Sequence, residues 1–347
     1  MTEGLSGESS EVDGNTSLNN GTTRPGHSRL ARVRVTRLVA AIGTLAVLAT
    51  LISLLSRIWW GFELAVHFRP QYLAVLFVAA VTSIVSRTPR AGLVFVVAAV
   101  VNIVAMASGV RAGDRGGAGS GGDGSGFRMR VLAANVKTEN DQYTRLVALV
   151  RLWQPDVVVL SEIDERWLDG ITELQSEYPH QVARPRSDNF GIVILSREPF
   201  QNTKIFTLSE VGVPTIAVQL TFERTQIWIL GTHPLPPSSA WAARLRNQQL
   251  VNIGEVVARL GEKTIVVGDL NTSAWSPHFQ DLVRQNGLRS ASGKLPRYTW
   301  PVGFPPLMLQ LDHCLVASGL STRGFFVAEN IGSDHFPIVC DVALGGA

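Results

Sequence analysis

Residues 332–339 read GSDHFPIV, a stretch in which a group of polar residues stands directly before an apolar strand. Ser333, Asp334 and His335 precede the apolar run that begins at Pro337. Polar side chains at a strand end are costly to bury unless they are used, and a packed sheet can hold them rigidly. The stretch therefore predicts a functional site at one edge of a sheet.

The same arrangement recurs along the C-terminal two thirds of the chain. Five more apolar runs end in polar residues: RMRVLAAN at Asn135, PDVVVLSE at Glu162, TQIWILGTH at His233, KTIVVGDLN at Asp269 and Asn271, and MLQLDH at Asp312 and His313. Each of these residues could alone be a solvated strand end, a turn or a cap. Because polar groups at strand ends meet along one rim of a sheet, we expect them together to form an active site.

The residue types in this set indicate the chemistry. Carboxylate and amide oxygens are the ligands of a hard divalent cation, and the missing Cys or multiple-His spacing argues against zinc. Mg2+ or Mn2+ is therefore the expected metal. Histidines within a carboxylate-rich cluster can carry protons or donate to a phosphoryl oxygen. No G-x-S-x-G motif surrounds Ser333, which argues against a serine hydrolase.

Short β-rich runs alternate with helical ones after residue 128. Strands are predicted at 129–134, 156–160, 192–195, 215–220, 226–230, 264–267, 311–316 and 337–342. Helical spacing predicts helices at 143–153 and 241–260, the second opened by Ser238 or Ser239 and closed by Gly261. Residues 128–347 are therefore predicted to form one mixed α/β domain.

The N-terminal third has a different composition. Residues 1–28 hold almost nothing to bury and are predicted to be a disordered cytoplasmic tail. Residues 29–110 are predicted to be a membrane anchor with three transmembrane helices at about 38–58, 70–86 and 91–110. Residues 111–127 are predicted to be a Gly-rich linker. The anchor explains a composition of 46% hydrophobic and only 17% charged residues.

Arginine positions predict the orientation of this anchor. Before the first helix and in the turn between the second and third stand Arg24, Arg29, Arg32, Arg34, Arg37, Arg87 and Arg90. The opposite side holds fewer, spread over longer connections: Arg57, Arg69, Arg111 and Arg115. Because positive loops stay in the cytoplasm, the chain is predicted to be a multi-pass plasma-membrane protein with an extracytoplasmic catalytic domain.

Two cysteines, Cys314 and Cys340, are too few for a disulfide framework. Outside the cytoplasm they could form one bridge, and they could equally be two buried thiols on strands. The sequence leaves both possibilities open.

The ordered motifs N…SE…GIVILSR…GTHP…GDLN…LDH…GSDHFPIV resemble the endonuclease/exonuclease/phosphatase superfamily, whose fold is that of pancreatic DNase. The resemblance covers residues 128–347, and the three-helix prefix is similar to that of membrane-bound bacterial members. It implies an α/β fold, a DNase I-like sandwich of two mixed β-sheets flanked by helices. It also implies Mg2+-dependent hydrolysis of a phosphodiester or phosphomonoester by metal-activated water, with no covalent intermediate.

The resemblance further implies a set of metal ligands. Glu162 would be the principal ligand, with Asn135 beside it. Asp269 and Asn271 would position the attacking water and the phosphoryl oxygens and could contact a second metal. Asp334 would lie close to the metal.

Catalytic roles follow from the same resemblance, in which Asp269, Asn271 and Asp334 also take part. His335, paired with an acid, would be the general base or bind the scissile phosphate. His233 would donate to a phosphoryl oxygen, and Asp312 would orient a histidine or assist the leaving group.

The distribution of charge along the chain favours some substrate classes over others. Residues 1–127 hold 11 Lys and Arg against 7 Asp and Glu, which leaves 20 basic and 21 acidic residues for the rest. A nuclease normally neutralises a row of phosphates with clustered basic residues, so DNA or RNA is the second choice. A membrane lipid phosphate or polyprenyl pyrophosphate is favoured, because the tether keeps the domain near lipid headgroups. A non-catalytic envelope binding or sensor protein is the alternative of another class.

Overall fold

A computed structural model of the chain describes residues 25–113, 128–293 and 296–344. The predicted tail up to residue 24 and the predicted linker from residue 114 to 127 lie outside these residues.

The N-terminal region is a bundle of apolar helices. Its elements are α1 (Pro25–Ser53), α2 (Trp60–Leu64), a 3-10 turn (Ala65–Phe68), α3 (Arg69–Val85) and α4 (Pro89–Gly113). Three segments are long and apolar enough to cross a membrane: Ala31–Ser53, Trp60–Val85 and Pro89–Ala107. The second begins ten residues before its predicted start at 70, and α1 and α4 extend beyond the predicted limits of 29 and 110.

Small residues allow α1, α3 and α4 to pack closely. A Cβ atom on Gly43 of α1 would lie 2.6 Å from the Cβ of Ala79, so only glycine permits this approach. Ala46, Ala80 and Ala98 are buried in the same cluster. The outward faces carry large apolar side chains, including Phe77, which is 67% exposed. Close small-residue contacts with apolar outer faces are typical of helices packed in lipid.

The C-terminal region contains two six-stranded sheets, with strands numbered in chain order. The first sheet has the spatial order β11 (Leu320–Val327), β12 (Ile338–Leu344), β1 (Met129–Asn135), β2 (Val157–Ser161), β4 (Ile192–Ser196) and β3 (His180–Arg184). The second has the order β5 (Phe200–Thr207), β6 (Pro214–Phe222), β7 (Thr225–Gly231), β8 (Thr264–Asp269), β10 (Asp312–Val316) and β9 (Arg289–Ser290). The pairs β1–β2 and β7–β8 are parallel and the others antiparallel, so both sheets are mixed.

Helices cover the outer faces of the two sheets. They are α5 (Tyr143–Trp153), α6 (Glu165–Gly170), α7 (Ala240–Leu260) and α8 (Pro277–Gln285), with 3-10 turns at Thr172–Ser176 and Pro305–Leu307. The side chain of Ser239 caps α7 by accepting from the N–H of Ala242, and Gly261 follows its last residue. This architecture confirms the predicted DNase I-like sandwich of two mixed sheets flanked by helices.

The core between the sheets consists mostly of aliphatic side chains. Val131 and Val159 of the first sheet lie in one buried cluster with Ile216 and Ile229 of the second. In the same cluster, Cys314 of β10 and Cys340 of β12 form a disulfide that joins the two sheets. The structure thus contains the bridge that the sequence left open.

Strand register brings the polar strand ends to one rim. Parallel pairing of β1 with β2 sets Asn135 opposite Ser161, immediately before Glu162. Antiparallel pairing of β8 with β10 sets Asp269 opposite Asp312. The last residues of β1, β2 and β8 and the first residue of β10 therefore meet at the same end of the sandwich.

Candidate active site

Asp269, at the end of β8 and 1% exposed, lies at the centre of the polar cluster. Its Oδ2 is 3.5 Å from Nε2 of His233 and 3.6 Å from Nε2 of His335. The same oxygen accepts from Nδ2 of Asn135 at 3.2 Å, and Oδ1 accepts from the N–H of Asn271 at 2.8 Å. The structure thus brings five of the predicted site residues into one group.

The backbone at position 268, directly before Asp269, requires a glycine. Its φ is +141°, and a Cβ atom there would lie 2.1 Å from the carbonyl oxygen of Thr232. The end of β8 can therefore approach the chain after β7 closely enough to put His233 beside Asp269. Asn271 then reaches across, with Nδ2 donating to the carbonyl of Pro234 at 2.9 Å.

His335 and Asp312 form a hydrogen-bonded pair in which Nδ1 lies 2.8 Å from Oδ2. Because an ionised carboxylate can only accept, Nδ1 carries the proton and Nε2 faces Asp269. Ser333 fixes this loop: its hydroxyl donates to the carbonyl of Asn135 at 2.8 Å and accepts from the N–H of His335 at 3.1 Å. Ser333 is therefore a structural residue of the rim.

Buried charges shift the titration of this cluster. Burial lowers the pKa of His335, but the charges of Asp312 and Asp269 outweigh it and raise that pKa to about 10. Burial raises the pKa of Asp269, but the charges of His335 and His233 lower it to about 2. For His233, burial lowers the pKa and the contacts with Asp269 raise it by more. The cluster can therefore present cationic imidazoles to an anionic oxygen.

Glu162 follows β2 with a left-handed φ of +63°, a conformation that is strained for a glutamate. Its Oε1 accepts from Nδ2 of Asn135 at 2.8 Å and lies 4.0 Å from Nε2 of His233. Burial and the charge of Asp269 both raise the pKa of Glu162. Two carboxylates therefore converge on one amide N–H2 group, where a cation would neutralise them.

These oxygen donors fit Mg2+ or Mn2+. Asp269, Asp312 and His335 form a second group that could hold a metal ion, because their donor atoms lie within 4.8 Å of one another. Asn135 is placed differently from its predicted role: its Nδ2 faces the carboxylates, and its Oδ1 accepts from the N–H of Lys137 at 3.1 Å. Its ligation of the metal stays a prediction.

The hydrogen-bond partners of Asp334 and His313 lie outside the group of residues around Asp269. Oδ2 of Asp334 accepts from Nε1 of Trp300 at 3.3 Å, and both residues line the cavity described below. The predicted contact of Asp334 with a metal stays a prediction. His313 lies in β10, with Nε2 at 2.8 Å from the carbonyl of Thr272 and its ring against Phe279, as a residue of the strand.

The polar cluster forms the floor of a cavity of about 520 Å³. Its walls are largely apolar and include Phe190, whose ring centroid lies 5.6 Å from that of His233. Leu64, His67 and Phe68, which belong to the helical anchor, line the same cavity. The helical anchor therefore contributes to the wall of the candidate active site.

Residues 57–71, which we term the docking segment, hold the anchor against the catalytic domain through polar contacts. These are Arg57 with Asp281 at 2.8 Å, Glu63 with Arg246 at 2.7 Å and with Ser276 at 2.6 Å, His67 with Ser273 at 2.8 Å, and Gln71 with the carbonyl of Met308 at 3.0 Å. Arg246 also donates to the carbonyl of Asn271 at 2.7 Å, so the docking segment supports a residue of the site. A lone carboxylate in an apolar stretch, Glu63, was the available signal, because such a charge needs a partner.

Arg246→Ala is expected to destabilise the protein by about 3–5 kcal/mol, because it leaves the Glu63 carboxylate buried without its partner. The two side chains are 0% and 2% exposed. Thermal unfolding in detergent measures the effect, and Arg244→Ala, two residues earlier in α7 and 71% exposed, is the matched control. The double variant with Glu63→Ala should be more stable than the sum of the single losses. Equal stability of the Arg246 and Arg244 variants would contradict the role of this pair.

Comparison with known proteins agrees with this geometry. The model of the Endonuclease/Exonuclease/phosphatase family matches residues 125–335, and the chain belongs to this family. Members hydrolyse phosphoester bonds and generally depend on a divalent metal, so the chain is a phosphoric ester hydrolase. A comparison with curated proteins found no match.

Solved structures of the same fold are distant in sequence. An endonuclease/exonuclease/phosphatase from Beutenbergia cavernae is 21% identical with a TM-score of 0.51, over 63% of this chain and 72% of that one. The human Nocturnin catalytic domain with bound sulfate is 18% identical with a TM-score of 0.53, over 62% and 93%. D. rerio TDP2 complexed with a single strand DNA product is 19% identical with a TM-score of 0.51, over 62% and 98%. At these identities the likeness concerns the fold.

Proposed function

We propose that this chain is a membrane-anchored, Mg2+- or Mn2+-dependent phosphoesterase that hydrolyses a membrane lipid phosphate or polyprenyl pyrophosphate. The observation that carries the proposal is the cavity, which has a charged floor at Asp269 and an apolar wall that the anchor helps to form. Such a cavity suits an amphiphile, whose phosphate meets the charges and whose hydrocarbon meets the wall.

The residues of the floor have different roles in the proposed reaction. Glu162, Asp269 and Asn135 would hold the divalent cation, which neutralises phosphoryl charge and polarises the P–O bonds when bound. Asp269 and Asn271 position the attacking water and the phosphoryl oxygens. His335, oriented by Asp312, binds the scissile phosphate as a cation, and in its neutral form it would accept the proton of that water.

His233 and Asp334 are the remaining two residues with proposed roles. His233 donates to a phosphoryl oxygen and stabilises the charge that develops there. Asp334, which accepts from Nε1 of Trp300 and precedes His335 in the chain, would help to hold the metal.

Nucleic acid is the second candidate, since the D. rerio TDP2 structure with the same fold contains a single strand DNA product. A nucleic-acid site neutralises successive phosphates with lysine and arginine. Among the described residues that line this cavity there is neither a lysine nor an arginine. This favours a lipid with a single phosphate or pyrophosphate headgroup over a polyanion with a row of phosphates.

A substrate screen tests the proposal. The purified full-length chain in detergent micelles with Mg2+ would be assayed against polyprenyl pyrophosphate, anionic and zwitterionic phospholipids, and single- and double-stranded DNA. Hydrolysis of a lipid substrate with little DNA cleavage is the expected result. Efficient DNA cleavage alone would establish a nuclease, and binding of a lipid without turnover would favour a sensor protein.

A reporter fused after Ala347 is expected to be active only in a form that requires export, because the arginine asymmetry places the C-terminus outside the cytoplasm. The disulfide between Cys314 and Cys340 supports the same side, since such bonds persist in oxidising compartments. Paired alkaline phosphatase and green fluorescent protein fusions make the measurement. A fluorescent, phosphatase-inactive pair would contradict both the orientation and the count of three spans.

A further inference from the structure

The docking segment and the loop 300–309 both contribute residues to the lining of the cavity. Trp300 and Leu309 pair through their backbones at the base of this loop, and both line the cavity. Phe304 and Leu307 near its tip are 53% and 46% exposed. Gln71 of the docking segment holds the loop by donating to the carbonyl of Met308. Exposed apolar side chains thus lie beside the start of α3, where a membrane surface would meet them.

The docking segment presents two different faces to the catalytic domain. Glu63 and His67, four residues apart, make the buried polar contacts with Arg246 and Ser273. Leu64 and Phe68, each one position later, are half-buried and face the cavity. The polar contacts of the first pair fix the segment against the catalytic domain, and Leu64 and Phe68 add apolar surface to the cavity wall.

We infer that the membrane anchor is part of the substrate site, and that Leu64 and Phe68 bind the hydrocarbon chain of the substrate while its phosphate lies at Asp269. The inference rests on the proposed function and adds a residue-level basis for the choice of a lipid. The chain would enter from the bilayer between the docking segment and the loop 300–309. An isolated catalytic domain would therefore lack one wall of its own site.

If Leu64 and Phe68 bind the hydrocarbon chain of the substrate, the rate of hydrolysis should depend on the length of that chain. For each methylene that enters an apolar cavity, kcat/KM of the full-length chain should rise roughly fourfold. Two substrate series measure this in detergent micelles with Mg2+: methyl, octyl and farnesyl pyrophosphate, and methyl, octyl and hexadecyl p-nitrophenyl phosphate. The first series tests hydrolysis of a pyrophosphate and the second hydrolysis of a phosphodiester, because the proposed function includes both kinds of lipid substrate.

Leu64→Ala and Phe68→Ala are expected to lose roughly tenfold or more in kcat/KM on the long-chain esters and to stay within about twofold of the wild type on the methyl esters. Phe68→Leu should recover part of the loss. Leu54→Ala, an anchor residue that is 55% exposed and outside the cavity lining, is the matched control and should behave as the wild type. Unchanged hydrolysis of the methyl esters also demonstrates that the variants are folded.

Each outcome has a distinct meaning. A dependence on chain length that both variants weaken supports the inference. Hydrolysis that ignores chain length, or a dependence that neither variant changes, overturns the inference and leaves the proposed phosphoesterase standing. An absence of hydrolysis of every ester in the folded wild type overturns the proposed function together with the inference.

Discussion

Asp269→Ala and His335→Ala are each expected to lower kcat by roughly 1000-fold or more, with a much smaller effect on substrate binding. Asp269 is the residue that touches both histidines, at 3.5 Å and 3.6 Å, so its removal disorders the whole floor. In the proposed mechanism, His335 takes part in the reaction only when the attacking water and the phosphate lie beside it. Steady-state kinetics on the substrate found by the screen provide the measurement.

The double variant should lose far less than the product of the two single losses, because residues that act as one unit are strongly non-additive. Asp169→Ala, on the exposed side of α6, and His180→Ala, at the remote end of β3, are the matched controls. Both should retain wild-type rates. A His335→Ala variant with unchanged kcat would place the chemistry elsewhere.

Glu162→Gln is expected to weaken the apparent affinity for Mg2+ by roughly 10–100-fold or more and to lower the rate at saturating metal. An amide oxygen binds a hard cation more weakly than a carboxylate, and Glu162 has a raised pKa because it is buried beside Asp269. Metal titrations of the rate, with Mn2+ in parallel, measure the shift. Glu165→Gln, exposed in the first turn of α6, is the control.

Chelation provides the opposite test of the same site. EDTA should abolish turnover in the wild type, and added Mg2+ should restore it. Full activity in EDTA would end the metal hypothesis, whatever the Glu162 variant does.

The strands that could be predicted from the sequence are those in the middle of the two sheets. Eight of the twelve strands described were predicted, and the four that were missed, β3, β5, β9 and β11, are the edge strands. Inner strands such as β2 are buried along their whole length and read as continuous apolar runs. β5 is exposed at most positions and has no such run, so its pairing with β6 is decided by tertiary structure.

The residues of the floor could be predicted because each lies at one end of an apolar strand, and strand register brings these ends together. Asp269 and Asp312 are 43 positions apart in the chain but directly opposite in the sheet. The wall could not be predicted in the same way. Leu64 and Phe68 lie in the predicted connection between the first two spans. Contacts between residues far apart in sequence, such as Glu63 with Arg246, bring them to the cavity.

The most direct test of the account is hydrolysis of polyprenyl pyrophosphate, and of phospholipid in parallel, by the full-length chain reconstituted in lipid nanodiscs. Phosphorus-31 NMR would follow the products with Mg2+, with EDTA and with the Asp269→Ala protein. The account predicts turnover of a lipid substrate that requires Mg2+ and disappears in the Asp269→Ala protein. Turnover that survives both EDTA and Asp269→Ala, or none on any lipid beside efficient cleavage of DNA, would contradict it.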